Sequence, residues 1–182
     1  GAQRSSATPP AARTATTPAL GKEPGNAIGT GKNLPLIAMA HRIPYVATAS
    51  VADLPDLERK VTYAIGLGGA RYIHIHAPCP LGWGSAPADS IRIARLAVES
   101  GLFPLFEAHA GRVTARTRLR HKVPVDEYLG LQTRFAHLFV NAASRERIAL
   151  IQEIADRNVA EFGLLAEDTA TGALAVTVGD VE

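Results

Sequence analysis

Pro44-Tyr45-Val46-Ala47-Thr48-Ala49, then Asp53 to Leu67, then Arg71-Tyr72-Ile73-His74-Ile75-His76-Ala77: the run between residues 44 and 77 decides the fold. Its two ends are short apolar stretches with β-branched and aromatic side chains, the pattern of strands. Between them Leu57, Val61 and Ile65 recur at helical spacing. Asp53 stands where a cap accepts the first free helix amides, and Gly66, Gly68 and Gly69 stop the helix. Strand, helix, strand in this order is a βαβ unit, whose crossover makes the two strands parallel.

The flanks extend the alternation. On the N-terminal side Asn33 is placed to cap a short helix from Leu34 to Ala40. On the other side Ser85 or Asp89 opens a helix through Ser100 with Ile91, Ala94, Ala97 and Val98 as its apolar stripe, and Gly101 closes it before a strand at Pro104 to Ala108. The expected class is therefore α/β, a parallel sheet with flanking helices. Beyond it Arg112, Arg116, Arg118 and Arg120 share one parity and Val113, Ala115 and Leu119 the other, which reads as a strand with a basic face. That face is either a solvated edge or a docking surface for an acidic partner or a phosphate. Pro124 starts a short helix with Tyr128, Leu129 and Leu131, and Ser144 caps a last helix in which Ile148, Ile151, Ala155, Val159 and Phe162 recur up to Gly163.

Three parts result. Residues 1–32 are rich in Ala, Thr, Ser, Pro and Gly without an apolar period, and form either a linker or a long loop that wraps a site. Residues 33–109 are the α/β core, and 110–182 a C-terminal, largely helical extension whose tail from Glu167 is a terminal strand or frayed.

Composition excludes several classes. With 182 residues, 47% hydrophobic and 20% charged, the chain is ordinary globular material, and its net charge of +2 gives no field that argues for nucleic acid. No apolar run approaches the roughly 20 residues of a membrane span, and no signal-peptide pattern opens the chain. A single cysteine excludes an internal disulfide and points to the cytoplasm. Neither a phosphate-binding glycine motif in strand-then-helix context nor a Gly-x-Ser-x-Gly elbow is present, so motif reading offers no nucleotide fold and no hydrolase.

That cysteine is the chemically informative residue. Cys79 lies in Ala77-Pro78-Cys79-Pro80-Leu81-Gly82-Trp83-Gly84, directly after a strand. Two flanking prolines remove amide donors and stiffen the backbone, so the thiol is presented on a rigid loop, suited to a metal ligand as well as to a small buried hydrophobe. His74 and His76 share one strand face and, with Cys79, give a zinc-like His-x-His-x-x-Cys, although no fourth ligand stands nearby. A metal- or nucleic-acid-binding module built on these residues and the arginine strand is one reading.

Five blocks support another. Gly1 to Ala12, Tyr45 to Ser50, Ala77 to Trp83, Ala97-Val98-Glu99-Ser100-Gly101-Leu102-Phe103-Pro104-Leu105-Phe106-Glu107 and Pro124-Val125-Asp126-Glu127-Tyr128-Leu129-Gly130-Leu131-Gln132-Thr133-Arg134-Phe135 together resemble, in order, the beta subunit of pyruvate and related 2-oxoacid:ferredoxin oxidoreductases. The resemblance implies the C-terminal portion of a thiamine diphosphate-binding fold with Mg2+ and a [4Fe-4S] cluster, in which Cys79 matches the late cluster ligand and the other cluster cysteines come from earlier in the subunit. It makes Gly1, Ala2 and Gln3 the end of the thiamine motif, and it assigns no catalytic side chain to these residues. The implied reaction is oxidative decarboxylation of pyruvate, or of a branched-chain 2-oxoacid, to CO2 and acyl-coenzyme A, with electrons passed to ferredoxin. Other subunits of the complex are the implied partners.

Overall fold

The computed structural model describes residues 9–13 and 32–165. Along the chain these form α1 (Leu34–Ala40), β1 (Tyr45–Ser50), α2 (Leu54–Gly66), β2 (Arg71–His76), α3 (Pro80–Trp83), α4 (Ser90–Glu99), β3 (Phe106–His109), β4 (Arg112–Arg116), α5 (Val125–Gly130) and α6 (Ala142–Phe162), with 3-10 turns at Pro87–Asp89 and Thr133–Phe139. The expectations for Gly1, Ala2, Gln3 and the tail from Glu167 fall outside the described residues.

Helix starts follow local chemistry. Asn33 Oδ1 accepts from the Leu36 amide at 3.2 Å and Asp53 Oδ1 from the Asp56 amide at 3.1 Å, so both caps expected from sequence form. The last helix begins at Ala142, two residues before Ser144. Asn141 caps it, accepting from the Ser144 amide at 2.8 Å, since asparagine is as good an N-cap as serine and stands first in the chain.

The sheet order is β2-β1-β3-β4. β1 and β2 pair in parallel from Tyr45 opposite Arg71 to Ser50 opposite His76, as the βαβ reading requires. β3 departs from the all-parallel expectation: it runs antiparallel to β1, with Val46 opposite Ala108 and Ala47 opposite Glu107, so the α/β sheet is mixed. The connection after His76 leaves the carboxyl end of β2 and returns to the sheet near that same end. Thr48 fixes the return, its hydroxyl donating to the Pro104 carbonyl at 2.7 Å and accepting from the Phe106 amide at 2.8 Å. Ala110 (φ 48°) and Gly111 (φ 84°) then turn the chain directly into β4; two central residues with positive φ match the twist of a tight hairpin.

The single basic face is not formed. β4 ends at Arg116, and its register against β3 slips between Glu107 and Ala108, so that Val113 faces Ala108 while Ala115 faces Glu107. Thr114 is the extra residue of a β-bulge, and such an insertion reverses the alternation. Arg112 opposite His109 and Arg116 opposite Phe106 therefore point to opposite sides of the sheet.

All six residues of β1 are buried, because helices cover both of its faces. On one side Tyr45 and Ala47 pack with Ala64 of α2 and Ile73 of β2. On the other, Val46, Phe106 and Ala108 meet Ala38, Val159 and Phe162, with the Phe106 and Phe162 rings stacked at 4.8 Å. A larger cluster joins Ile93, Leu96 and Ala97 of α4 to Val125, Tyr128 and Leu129 of α5, Phe135, Leu138 and Ile151. Apolar burial thus runs continuously across residues 109 and 110, tying the extension to the core.

Candidate functional site

Ligand sites in α/β sheets gather at the carboxyl ends of parallel strands, where the strands hand over to loops. Here that end carries Ser50 and His76, and the segment after His76 presents Cys79. The thiol is free and half-buried. Cys79 precedes α3, a single turn closed by the Trp83 amide donating to the Cys79 carbonyl at 2.9 Å. Pro78 and Pro80 on either side leave the loop few conformations, so the thiol direction is set before any ligand arrives.

The far end of the loop is clasped. Gly84, at φ 63°, offers its carbonyl to the Thr133 amide at 3.1 Å and to the Thr133 hydroxyl at 2.6 Å. A Cβ on Gly84 would fall onto the Thr133 hydroxyl, so only glycine allows this approach. Thr133 opens the 3-10 turn that also carries Arg134, and the clasp therefore brings Arg134 to the loop. Its guanidinium lies 3.9 Å from the centre of the Trp83 ring.

His76 packs against Trp83 and Phe103, at 5.7 and 4.9 Å between ring centres, and His74 packs against Phe103 at 5.4 Å. Burial, with the nearby positive charges of Arg134 and His74, pulls the His76 pKa down to about 4; burial alone lowers that of His74. Both are neutral imidazoles at physiological pH. Their Nδ1 atoms and the Ser85 hydroxyl are buried with no hydrogen-bond partner among the described residues. Buried polar atoms are ordinarily paired, so the three at this loop, like the two ring nitrogens of His137 in the Thr133–Phe139 turn, stand out among the described residues.

The zinc-like set is not assembled. Among the described residues no three His, Cys, Asp or Glu side chains converge on a common metal position, because the histidines are turned into aromatic packing while the prolines carry Cys79 off the strand. One thiolate, with its remaining partners supplied from elsewhere, is what this loop offers. Sequence reading missed Arg134 and Phe103 as neighbours of the loop; both are remote in the chain, and no local spacing announces the contact.

Open α/β sheets bind ligands at the carboxyl ends of their parallel strands, and that is where this chain presents its stiff thiol-bearing loop. No protein-family profile matches the chain. It is 46% identical over 164 residues to the pyruvate synthase subunit PorB of Methanosarcina barkeri, an alignment covering 90% of this chain and 55% of the relative. It is 44% identical over 156 residues to PorB of Methanothermobacter thermautotrophicus, covering 86% and 52%, and 43% identical over 140 residues to the ketoisovalerate oxidoreductase subunit VorB of Pyrococcus horikoshii, covering 76% and 45%. The chain spans about half the length of the curated relatives it matches. Over the residues it shares with them it resembles the PorB and VorB beta subunits of 2-oxoacid:ferredoxin oxidoreductases.

Proposed function

We propose that the chain works within a 2-oxoacid:ferredoxin oxidoreductase, converting pyruvate and coenzyme A to acetyl-coenzyme A and CO2 while two electrons leave singly for ferredoxin. The similarity to PorB subunits supports pyruvate, and the VorB similarity keeps a branched-chain 2-oxoacid as the second reading. In this reading residues 1–32 lie on the cofactor side, with Gly1, Ala2 and Gln3 ending the thiamine motif; 33–109 are the α/β part of the thiamine diphosphate-binding domain; and 110–182 extend it. The partners are the other subunits and ferredoxin, and the compartment is the cytoplasm. Among the described residues no helix is long and apolar enough to cross a membrane.

Thiamine diphosphate with Mg2+ supplies the decarboxylating chemistry when bound, and a [4Fe-4S] cluster the one-electron relay. The observation that carries the reading is the Cys79 loop, whose thiol is fixed by Pro78, Pro80 and the α3 turn and which is flanked in the chain by His74, His76 and Ser85, each with a buried polar atom lacking a partner among the described residues. This chain's contribution is to hold one thiolate in place and to keep water away from it with Trp83 and Phe103. Neutral His74 and His76 add no charge there. In the assembled enzyme Cys79→Ala removes a cluster ligand, so iron and acid-labile sulfide fall and ferredoxin reduction is lost, while CO2 exchange persists. A full iron complement with an unchanged reduced-cluster EPR signal in that variant refutes the assignment of Cys79.

A further inference from the structure

Arg134 is a buried cation without an anionic partner among the described residues. It is 6% exposed. Its Nε donates to Gln132 Oε1 at 2.9 Å and its Nη2 reaches the Tyr128 hydroxyl at 3.4 Å, while the ring centres of Trp83 and Phe135 lie 3.9 and 4.9 Å from its guanidinium carbon. Every one of these partners is neutral, since burial raises the Tyr128 pKa and keeps its phenol protonated. None of the ion pairs among the described residues includes Arg134. A charge taken out of water and left unpaired is strongly unfavourable, so the protein gains from any anion placed beside it.

The fold ties Arg134 to the Cys79 loop. Trp83, on which Arg134 stacks, belongs to the turn that closes on the Cys79 carbonyl, and the Gly84 to Thr133 clasp ties the Arg134 segment to the same loop. Burial lowers the Arg134 pKa.

We propose that Arg134, held on the face of Trp83, is a positioning residue that offsets the negative charge of the Cys79 thiolate and of the iron-sulfur cluster it ligates, and so raises that cluster's reduction potential. The inference rests on the proposed function. Adding an electron to a cluster already bearing excess negative charge is easier beside a fixed cation in a low-dielectric surround. Trp83 supplies the platform because a guanidinium stacks on an aromatic face without needing an acid to hold it.

The test is an EPR-monitored redox titration of the assembled oxidoreductase carrying Arg134→Gln or Arg134→Lys, with iron content measured in parallel. Arg134→Gln shifts the proximal-cluster potential to lower values, about tenfold in the reduced-to-oxidised ratio at fixed ambient potential, or about 59 mV for a one-electron couple. Arg134→Lys keeps the charge and stays near the parent. An unchanged potential in Arg134→Gln at full iron content overturns the proposal and leaves the Cys79 assignment standing; a cluster unaffected by Cys79→Ala overturns that assignment instead. Should Arg134→Gln fail to assemble, Arg134→Lys decides alone: a potential near the parent supports the charge, and one lowered with full iron shows that stacking on Trp83, not charge, governs the cluster. A thermal cycle gives the second readout. In a Cys79→Ala background Arg134→Gln costs no stability, whereas equal destabilisation with and without Cys79 reduces Arg134 to a packing residue.

Discussion

Two polar regions lie at the parallel strands and behave in opposite ways. Under α2, Tyr45 donates to Glu107 Oε2 at 2.6 Å, Arg59 bonds Glu107 Oε1 at 2.7 Å and Asp56 at 2.9 Å, and Lys60 bonds Asp56 at 2.6 Å and the Thr48 carbonyl at 2.9 Å. Acids and bases there answer one another, and such a closed network specifies packing. Around the Cys79 loop the reverse holds among the described residues: Arg134 has no acid, and His74, His76 and Ser85 carry buried polar atoms without partners. A region that is complete in itself is architecture, whereas one left short of partners is open to groups from beyond the described residues.

The comparison breaks most sharply with a crossed pair of variants in the assembled enzyme. Cys79→Ala loses nearly all ferredoxin reduction and a share of the iron while the melting temperature of the cluster-free protein barely moves, because the loop lies outside the sheet. Asp56→Ala does the opposite. It strands Lys60, only 2% exposed, with the Thr48 carbonyl alone, a loss of about 3 kcal/mol by the rule for breaking a buried ion pair. Calorimetry and iron analysis on both proteins check it, and a large fall in iron for Asp56→Ala at unchanged stability makes the α2 network part of the site.

A pH series sharpens the same contrast. Burial pushes the Glu107 carboxyl up, but the hydrogen bonds from Arg59 and Tyr45 outweigh it and hold the pKa below the ordinary value of 4.5. A carboxyl depressed on folding stabilises the folded protein above its unfolded pKa, and that contribution is lost as pH falls through the folded one. The gap in melting temperature between the parent and Glu107→Gln is therefore widest near neutrality and closes on acidification below about pH 4. A gap independent of pH removes Glu107 from the account.

Much of the α2 side was legible in the chain. The cap at Asp53 and the glycines after Ile65 bound the helix of the βαβ unit by local rules, whereas the stripe of Leu57, Val61 and Ile65 is not its buried face: Ile65 is exposed, and Lys60 and Ala64 are the buried residues of α2. The direction of β3 was not, since nothing in the composition of residues 77–89 says at which end of the sheet the helix returns its chain. The arginine face was misread because a bulge at Thr114 leaves no mark in the alternation that suggested it. Cys79 stood out through its prolines, but Arg134 lies in an unremarkable Gln-Thr-Arg-Phe run, and its meeting with Trp83 is a tertiary event.

The smallest effect concerns the clasp that makes this meeting possible. Gly84→Ala introduces a Cβ onto the Thr133 hydroxyl and places a non-glycine residue at φ 63°. Two costs are superimposed, a steric one that needs the Thr133 hydroxyl and a backbone one of about 1 kcal/mol that does not. The loop relieves the first by lifting from the Thr133 turn, which separates Trp83 from Arg134 and opens Cys79 to solvent. Iron loss on air exposure of the assembled enzyme therefore accelerates in Gly84→Ala. Adding Thr133→Ala restores much of the retention by removing the clash, leaving the residual slope to backbone strain. If the double variant loses iron as fast as Gly84→Ala, or if Gly84→Ala matches the parent, the loop is held by Pro78 and Pro80 alone, and the contrast between the two regions lies in side-chain pairing without any mechanical tie between Cys79 and Arg134.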